Sequence, residues 1–354
     1  MIPLPARYST VIKSFSGGMS EAYLCEDTNL SRRVLVKGLQ PGMETRRIVD
    51  EIRALQEIRS PHVVQIYDII RSTSGDLIGI VEEYLPGSDL SDADAPLEVA
   101  HALHILYQMS AGVADIHEHD RVHRDIKPIN MKFDAEGCLK IFDFGLSKID
   151  AGPAATTSIS WTPGYAAPEL FSMGASGKVA FTKAVDTFAF ACSAFEFLTG
   201  ALPPQLYEIP PKLPCVDFST VGLGLPPQIS AQLNQCLDPN PSKRPAMAEI
   251  RDELARQLLK GKHRALLTYG ANVRTISEIG KGVRVADALG TLAVSYDGFR
   301  FRVTEATGEL YMNNARLNTG ALLPGSCVIT IGPPSAGTKR GIVTVDVSHP
   351  EVTV

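Results

Sequence analysis

The chain has 354 residues, enough for two domains or one large one, and its 44% hydrophobic fraction suits an ordinary buried core. A net charge of -5 gives no global reason to expect a nucleic-acid partner. Six scattered cysteines without a C-x-x-C pairing argue against a disulfide frame or a zinc site, and for reduced thiols in a cytoplasmic setting.

No apolar leader region follows the opening Met1-Ile2-Pro3-Leu4-Pro5, and no stretch approaches the ~20 apolar residues of a membrane span. The most apolar helix candidate, Phe188 to Leu198, is too short and contains Glu196. A soluble intracellular protein with no membrane contact is expected.

In chain order, short strands come first. Tyr8 to Lys13 and Ala22 to Glu26 flank a Ser/Gly-rich turn, and Arg33 to Lys37 is a β-branched run. Glu44 to Arg59 reads as a helix, with Ile48, Ile52, Leu55 and Ile58 on one face. Two more strands, Val63 to Ile70 and Leu77 to Glu82, lead to a linking turn at Tyr84-Leu85-Pro86-Gly87. Helices then dominate: Leu97 to His119, Lys183 to Thr199, Ile229 to Cys236 and Met247 to Lys260. A small β lobe followed by a larger helical lobe is the expectation.

After Lys260-Gly261-Lys262 the pattern changes to strands and turns: Phe299 to Val303, Val328 to Ile331 and Ile342 to Val347. In the first of these, period two places Phe299, Phe301 and Val303 inward and Arg300 and Arg302 outward. Tyr296-Asp297-Gly298-Phe299 signals a hairpin turn. A separate all-β sandwich of ~90 residues is expected, because strand and turn spacing of this kind suits that class.

The most informative stretch is His123-Arg124-Asp125-Ile126-Lys127-Pro128-Ile129-Asn130, followed by Asp143-Phe144-Gly145. It sets a carboxylate, a lysine, an asparagine and a second carboxylate on two short loops joined by a hairpin-like segment. Such a set can hold Mg-ATP while a hydroxyl attacks the terminal phosphate. Asn130 and Asp143 offer oxygen ligands suited to magnesium, a hard cation. His117, His119 and His123 lie close in sequence but are not read as a metal site. His117 and His119 end a helix, where a solvent-facing or capping role is expected.

With these motifs the chain resembles the eukaryotic-like (bacterial Hanks-type) serine/threonine protein kinases, over roughly Tyr8 to Leu259. The ordered matches are Gly17-Gly18 in a turn, Lys37 in Val34-Leu35-Val36-Lys37, Glu51 on the helix, the two loops above, Ala167-Pro168-Glu169, Asp186 and Arg244-Pro245. The resemblance implies an α+β bilobal kinase fold over residues 8–260, followed by the small all-β sandwich over 261–354. It implies transfer of the γ-phosphate of ATP to serine or threonine hydroxyls of protein substrates, with ATP and Mg2+ as cofactors.

Residue by residue, the resemblance makes Asp125 the group that orients the substrate hydroxyl and takes its proton, with Lys127 neutralising the transferred phosphoryl group. Lys37, oriented by Glu51, would pair with the α and β phosphates. Gly17, Gly18, Glu83 and Leu85 would line the nucleotide, and Asn130 and Asp143 would hold the metal. Thr156, Thr157 and Ser158 occupy the place of activating phosphosites, with Arg124 able to bind a phosphate there. Thr162 matches a residue that contacts the catalytic aspartate. Glu169 and Arg244 match a buried ion pair, and Asp186 matches a residue that holds the catalytic loop backbone.

Two departures stand out. Phe15 and Ser20 replace glycines of the phosphate-covering loop, and Ala22 replaces the valine that covers adenine, which should weaken ATP binding. Glu82 falls behind the adenine pocket, where the family is usually apolar. Either this carboxylate narrows nucleotide choice or the register is off by one. A pseudokinase scaffold with weak nucleotide binding therefore stands as the alternative function, and a small-molecule kinase as a second one opposed by Ala167-Pro168-Glu169.

From Thr291 to Gly332 the tail resembles a forkhead-associated domain, the phosphothreonine-reading β-sandwich, through 308–317 and 323–332. The family's phosphate-binding Ser-Arg-x-His run is absent, with Thr291 at the histidine and Gly308 at a peptide-contacting asparagine. A docking partner for the tail and a phosphoprotein partner are the two readings that remain.

Overall fold

The structure, a computed structural model, describes residues 3–16, 21–39, 52–53, 55–144, 161–171 and 181–352. The chain divides into two compact units, Met1–Leu254 and Ala255–Val354.

The first unit opens with a five-stranded antiparallel sheet in the order β1-β2-β3-β5-β4. Its strands are β1 (Thr10–Ser16), β2 (Glu21–Asp27), β3 (Arg32–Gly38), β4 (Ile66–Arg71) and β5 (Leu77–Glu83). Period-two alternation divides its residues between two faces. Tyr23, Cys25, Val34, Val36, Ile70 and Val81 pack with Tyr8 into one apolar cluster. Ala22, Leu35, Lys37 and Glu82 alternate with them and turn to the other face. Residues 52–53 and 55–56 are helical, within the stretch whose periodicity predicts a helix.

Helices carry the rest of this unit: α1 (Val99–Glu118), α2 (Lys183–Thr199), α3 (Pro227–Cys236) and α4 (Met247–Leu258). Helix α1 buries Leu103, Ile105, Leu106, Met109 and Val113, among others, so it is a core helix. Gly112 lies on it where a Cβ would stand 2.8 Å from the His62 carbonyl oxygen and 2.8 Å from Ile141 Cδ1. Helix α2 ends at Gly200, whose φ of 81° is the left-handed conformation that glycine adopts without penalty, and its N–H donates to the Glu196 carbonyl at 2.7 Å. A short hairpin, β6 (Met131–Phe133) with β7 (Leu139–Ile141), joins the two motif loops. None of the described helices is long and apolar enough to cross a membrane.

The second unit holds two antiparallel sheets. One, in the order β10-β11-β12, uses Gly282–Asp287, Gly290–Tyr296 and Phe301–Gly308. The other runs β14-β13-β15-β16-β8-β9, from Ala315–Arg316, Leu310–Met312, Cys327–Ile331, Gly341–Val347, Ala265–Tyr269 and Asn272–Ile276. Both sheets supply one core. Leu292, Val294 and Val303 come from the first, and Leu267, Ile329, Ile331 and Val343 from the second.

The hairpin turn is present at Asp297, whose Oδ1 accepts from the N–H groups of Phe299 and Arg300 at 2.8 and 2.7 Å. Strand β12 begins two residues later than its apolar alternation suggests. Phe301 and Val303 are buried in the core as that alternation predicts. Phe299 is only half-buried and lies outside the core, with the Arg256 guanidinium 4.4 Å and the Lys260 ammonium 5.4 Å from its ring centroid. The Asp297 turn ends the period-two geometry before Phe299 and releases that ring to the helix end.

Candidate active site

The His123–Asn130 loop is positioned by one buried carboxylate. Asp186, in the first turn of α2 and fully buried, accepts from the His123 N–H at 2.7 Å and the Arg124 N–H at 2.8 Å. His117 Nε2 donates to the same carboxylate at 3.0 Å. His117 is therefore buried at 7% exposure rather than solvent-facing, because α1 ends against the start of α2. His119 is exposed, with its ring Nδ1 2.8 Å from the Asp115 carbonyl.

Each motif loop carries one strained residue, and Asp186 holds the first. Arg124 has φ 71° and Asp143 has φ 63°, left-handed values that cost a non-glycine residue on the order of 1 kcal/mol. His123 fixes the second loop against the first. Its Nδ1 accepts from the Asp125 N–H at 3.3 Å, so its Nε2 carries the proton that is donated to the Phe142 carbonyl at 3.1 Å. Burial pushes the imidazole pKa below its ordinary value, which keeps this neutral tautomer. The Phe144 ring packs 4.8 Å from the His123 ring.

Around Asp125 the groups converge. Lys127 Nζ donates to Thr162 Oγ1 at 3.0 Å, and Thr162 Oγ1 donates to Asp125 Oδ1 at 2.9 Å. Lys127 Nζ also stands 3.0 Å from Asp125 Oδ2. Asn130 Nδ2 donates to the Asp125 carbonyl at 2.9 Å and to Oδ2 at 3.1 Å. With the amide hydrogens of Asn130 so directed, its oxygen is the atom left for a hard cation, and the Asp143 carboxylate, 60% exposed, is the second oxygen donor of the motif. That donor set fits magnesium.

A cavity of about 490 Å³ adjoins this loop. The sheet contributes Phe15, Ala22, Leu35 and Glu82, the linking segment Glu83 and Leu85, and the loops Lys127, Asn130 and Phe142. The Glu83 carboxylate pairs with Lys140 Nζ at 3.0 Å, and Leu85 is buried. Mostly apolar walls with a few convergent charges suit a planar base joined to a polyanion. Lys37 Nζ lies 2.9 Å from Glu82 Oε2 and 3.8 Å from Asp143 Oδ1. The Glu82 pairing has no local sequence signal, because it joins strands 45 residues apart.

Behind this site, Arg244 donates from both terminal nitrogens to Glu169, at 2.7 and 2.8 Å. The Arg124 guanidinium is exposed and stands 5.4 Å from the Phe181 ring centroid. Gly17, Gly18, Ser20, Glu51, Thr156, Thr157 and Ser158 lie outside the described residues.

The protein kinase domain family matches residues 15–254 of this chain. Serine/threonine-protein kinase PrkC of Bacillus subtilis is 33% identical over 210 residues, 56% of this chain and 31% of that protein. Serine/threonine-protein kinase pkn2 of Myxococcus xanthus is 33% identical over 217 residues, 56% of this chain and 25% of its own length. CBL-interacting serine/threonine-protein kinase 21 of Arabidopsis thaliana is 32% identical over 249 residues, 66% of this chain and 57% of that protein. The matches thus span between 25% and 57% of the length of these relatives.

Proposed function

The chain belongs to the protein kinase family, and from that premise we propose that it transfers the γ-phosphate of Mg-ATP to serine or threonine hydroxyls of proteins. The observation that carries this reading is the closed set around Asp125, in which Lys127, Thr162 and Asn130 all direct donors at one carboxylate beside the cavity. A substrate hydroxyl brought to that carboxylate would be oriented and give it its proton as the oxygen bonds to the γ-phosphorus, while the bond from that phosphorus to the β–γ bridging oxygen breaks and ADP leaves. Lys127 lies within reach of the same oxygen atoms and offsets the charge of the moving phosphoryl group.

ATP occupies the cavity in this reading, its base between Ala22, Leu35 and Leu85, with Glu83 in the linking segment and Gly17 and Gly18 over the phosphates. Lys37 meets the α and β phosphates, with Glu51 as its helix partner. Asn130 and Asp143 would hold Mg2+, which would offset the negative charge of the phosphates. Thr156, Thr157 and Ser158 are phosphorylated by the protein itself, and the exposed Arg124 binds the phosphate placed there. The kinase domain runs over 8–260 and a forkhead-associated-like sandwich over 261–354, in a cytoplasmic protein.

For the sandwich, a docking role is favoured over phosphothreonine reading. Arg284 is neutralised by Glu305 through contacts at 2.8 and 3.1 Å, and Arg302 donates to the Gly320 carbonyl at 2.8 Å. Phosphothreonine-peptide binding that is lost in Arg284→Ala, Lys281→Ala or Arg300→Ala would reverse this preference.

A nucleotide-binding scaffold without transfer is the second reading. Phe15 favours it by lining the cavity where the family places a glycine. One experiment separates the two. Purified protein is incubated with Mg-ATP and a generic protein substrate, and phosphate is located by mass spectrometry beside Asp125→Asn. Phosphate on substrate or on residues 156–162 in the wild type alone is expected. Its absence at high ATP removes the transferase reading.

A further inference from the structure

Strand register places Lys37 and Glu82 on one face of the sheet. In the β3–β5 ladder Lys37 stands opposite Ile80 and Leu35 opposite Glu82, so Lys37 and Glu82 are diagonal neighbours. That separation is within the reach of two long side chains. They meet at 2.9 Å, with side chains only 17% and 6% exposed. An isolated carboxylate at such depth carries a heavy desolvation penalty, which a close ammonium offsets.

The ammonium is held between a carboxylate rooted in its own sheet and the Asp143 carboxylate of the second loop. Strands β3 and β5 pair continuously from Val34↔Glu83 to Gly38↔Gly79. The Glu82 carboxylate is thus fixed by the same hydrogen-bond ladder as the lysine. A carboxylate on any other element would change its distance to Lys37 whenever that element moved.

We propose that Glu82, which lines the cavity, is a positioning residue that holds the Lys37 ammonium beside it from within the sheet and thereby sets affinity for the phosphates of ATP. The inference rests on the kinase reading of this cavity. It assigns a function to the carboxylate that departs from the family's usual apolar choice.

The test uses the full chain and two readouts. The affinities of Mg-ATP and of adenosine, which lacks the phosphates, are measured by calorimetry. In Glu82→Gln, ATP affinity is expected to fall about tenfold, the scale of one charge-assisted hydrogen bond. Adenosine affinity is expected to be unchanged, because adenosine has no phosphate for Lys37 to meet. Glu82→Asp, one methylene shorter, is expected to lie between wild type and Glu82→Gln in ATP affinity, and it serves if Glu82→Gln does not fold. ATP affinity that is unchanged or higher in the variants, or an equal loss for adenosine and ATP, overturns the proposal. A wild type that binds Mg-ATP but transfers no phosphate removes the transferase reading and leaves Glu82 to be judged by the affinity change. A wild type that binds no Mg-ATP overturns both.

Discussion

Arg244 and Glu169 are joined by two parallel hydrogen bonds across 75 residues of sequence, with the arginine side chain completely buried. The guanidinium also donates to the carbonyls of Asp238 and Ala184 and stands 5.0 Å from the Phe188 ring centroid, so its charge is paired and hydrogen-bonded away from water. Removing one partner strands the other. Glu169→Ala is expected to cost about 3–5 kcal/mol, measured by urea unfolding. Arg244→Lys recovers little of the loss of Arg244→Ala, because an ammonium cannot reproduce the planar fork. Full stability in Arg244→Lys would show that charge alone matters there.

At the Asp125 carboxylate, removal of the charge is expected to reduce turnover by about 10²–10⁴-fold, the usual range for a positioned base. Asp125→Asn keeps the shape of the side chain, and circular dichroism checks that the variant is folded. Thr162 acts through Asp125 by a hydrogen bond at 2.9 Å, so Thr162→Ala is expected to lower kcat about tenfold. Thr162→Ser, which keeps the hydroxyl, restores it. Equal losses in the serine and alanine variants, read by steady-state phosphorylation, would remove the hydroxyl from this account.

Stability should fall on mild acidification. Burial lowers the pKa values of His123 and His62 from the ordinary histidine range. A depressed folded-state pKa means that the unfolded chain binds the proton first. The contribution is complete above the unfolded value of about 6.5 and is lost as pH falls through the folded value. Within that window each histidine removes about 1.4 kcal/mol per pH unit. Urea midpoints at pH 5.0 are therefore expected below those at pH 7.5. His62→Gln should flatten the dependence, and equal slopes in both proteins would exclude His62 as a source.

Gly112 sits within α1, where propensity alone favours alanine by about 1 kcal/mol. Packing opposes that gain. A Cβ at this position would meet the backbone oxygen of His62 at 2.8 Å, and the His62 segment is bonded to β7 through the Ile141 N–H. The strand cannot retreat without breaking that bond, so Gly112→Ala is expected to destabilise by about 1–3 kcal/mol in thermal or urea unfolding. A stabilised variant would mean that the strand yields.

The two loops are legible in the sequence because their residues are local. Asp125, Lys127 and Asn130 lie within one turn and reach of each other, and the structure brings them to one carboxylate as their spacing implies. The β-branched run from Arg33 to Lys37 is likewise legible as a strand, while the face that carries the lysine is separated only in the structure, where Val34 and Val36 enter the apolar cluster. Long-range partners are different. Nothing in the helix pattern of α1 indicates that His117 meets Asp186, since that contact depends on where a helix 69 residues away begins. Glu82 is visible as an oddity in an apolar strand. Its partner emerges only once the β3–β5 register is fixed, because a slip of one residue would turn Lys37 to the opposite face.

In the second unit the sharpest test is Tyr296. Its ring is 1% exposed and stacks on Phe301 at 4.6 Å between centroids, while its hydroxyl donates to the Gly298 carbonyl at 2.8 Å. That hydroxyl also accepts from the His263 N–H at 3.3 Å, which ties the start of β8 to the Asp297 turn. Two contributions can be separated by substitution. Tyr296→Phe keeps the ring and leaves the His263 N–H and the Gly298 carbonyl without this partner, at a cost of about 1–3 kcal/mol. Tyr296→Ala removes the ring as well and opens a cavity in the shared core of the two sheets, at about 3–5 kcal/mol. By contrast Arg284→Ala, which breaks only an exposed pair with Glu305, should cost no more than about 1 kcal/mol. Urea unfolding of the full chain, followed by the fluorescence of a probe on the second unit, gives this order. If Tyr296→Phe costs as much as Tyr296→Ala, the hydroxyl and not the ring dominates, and the turn rather than the core holds this unit together.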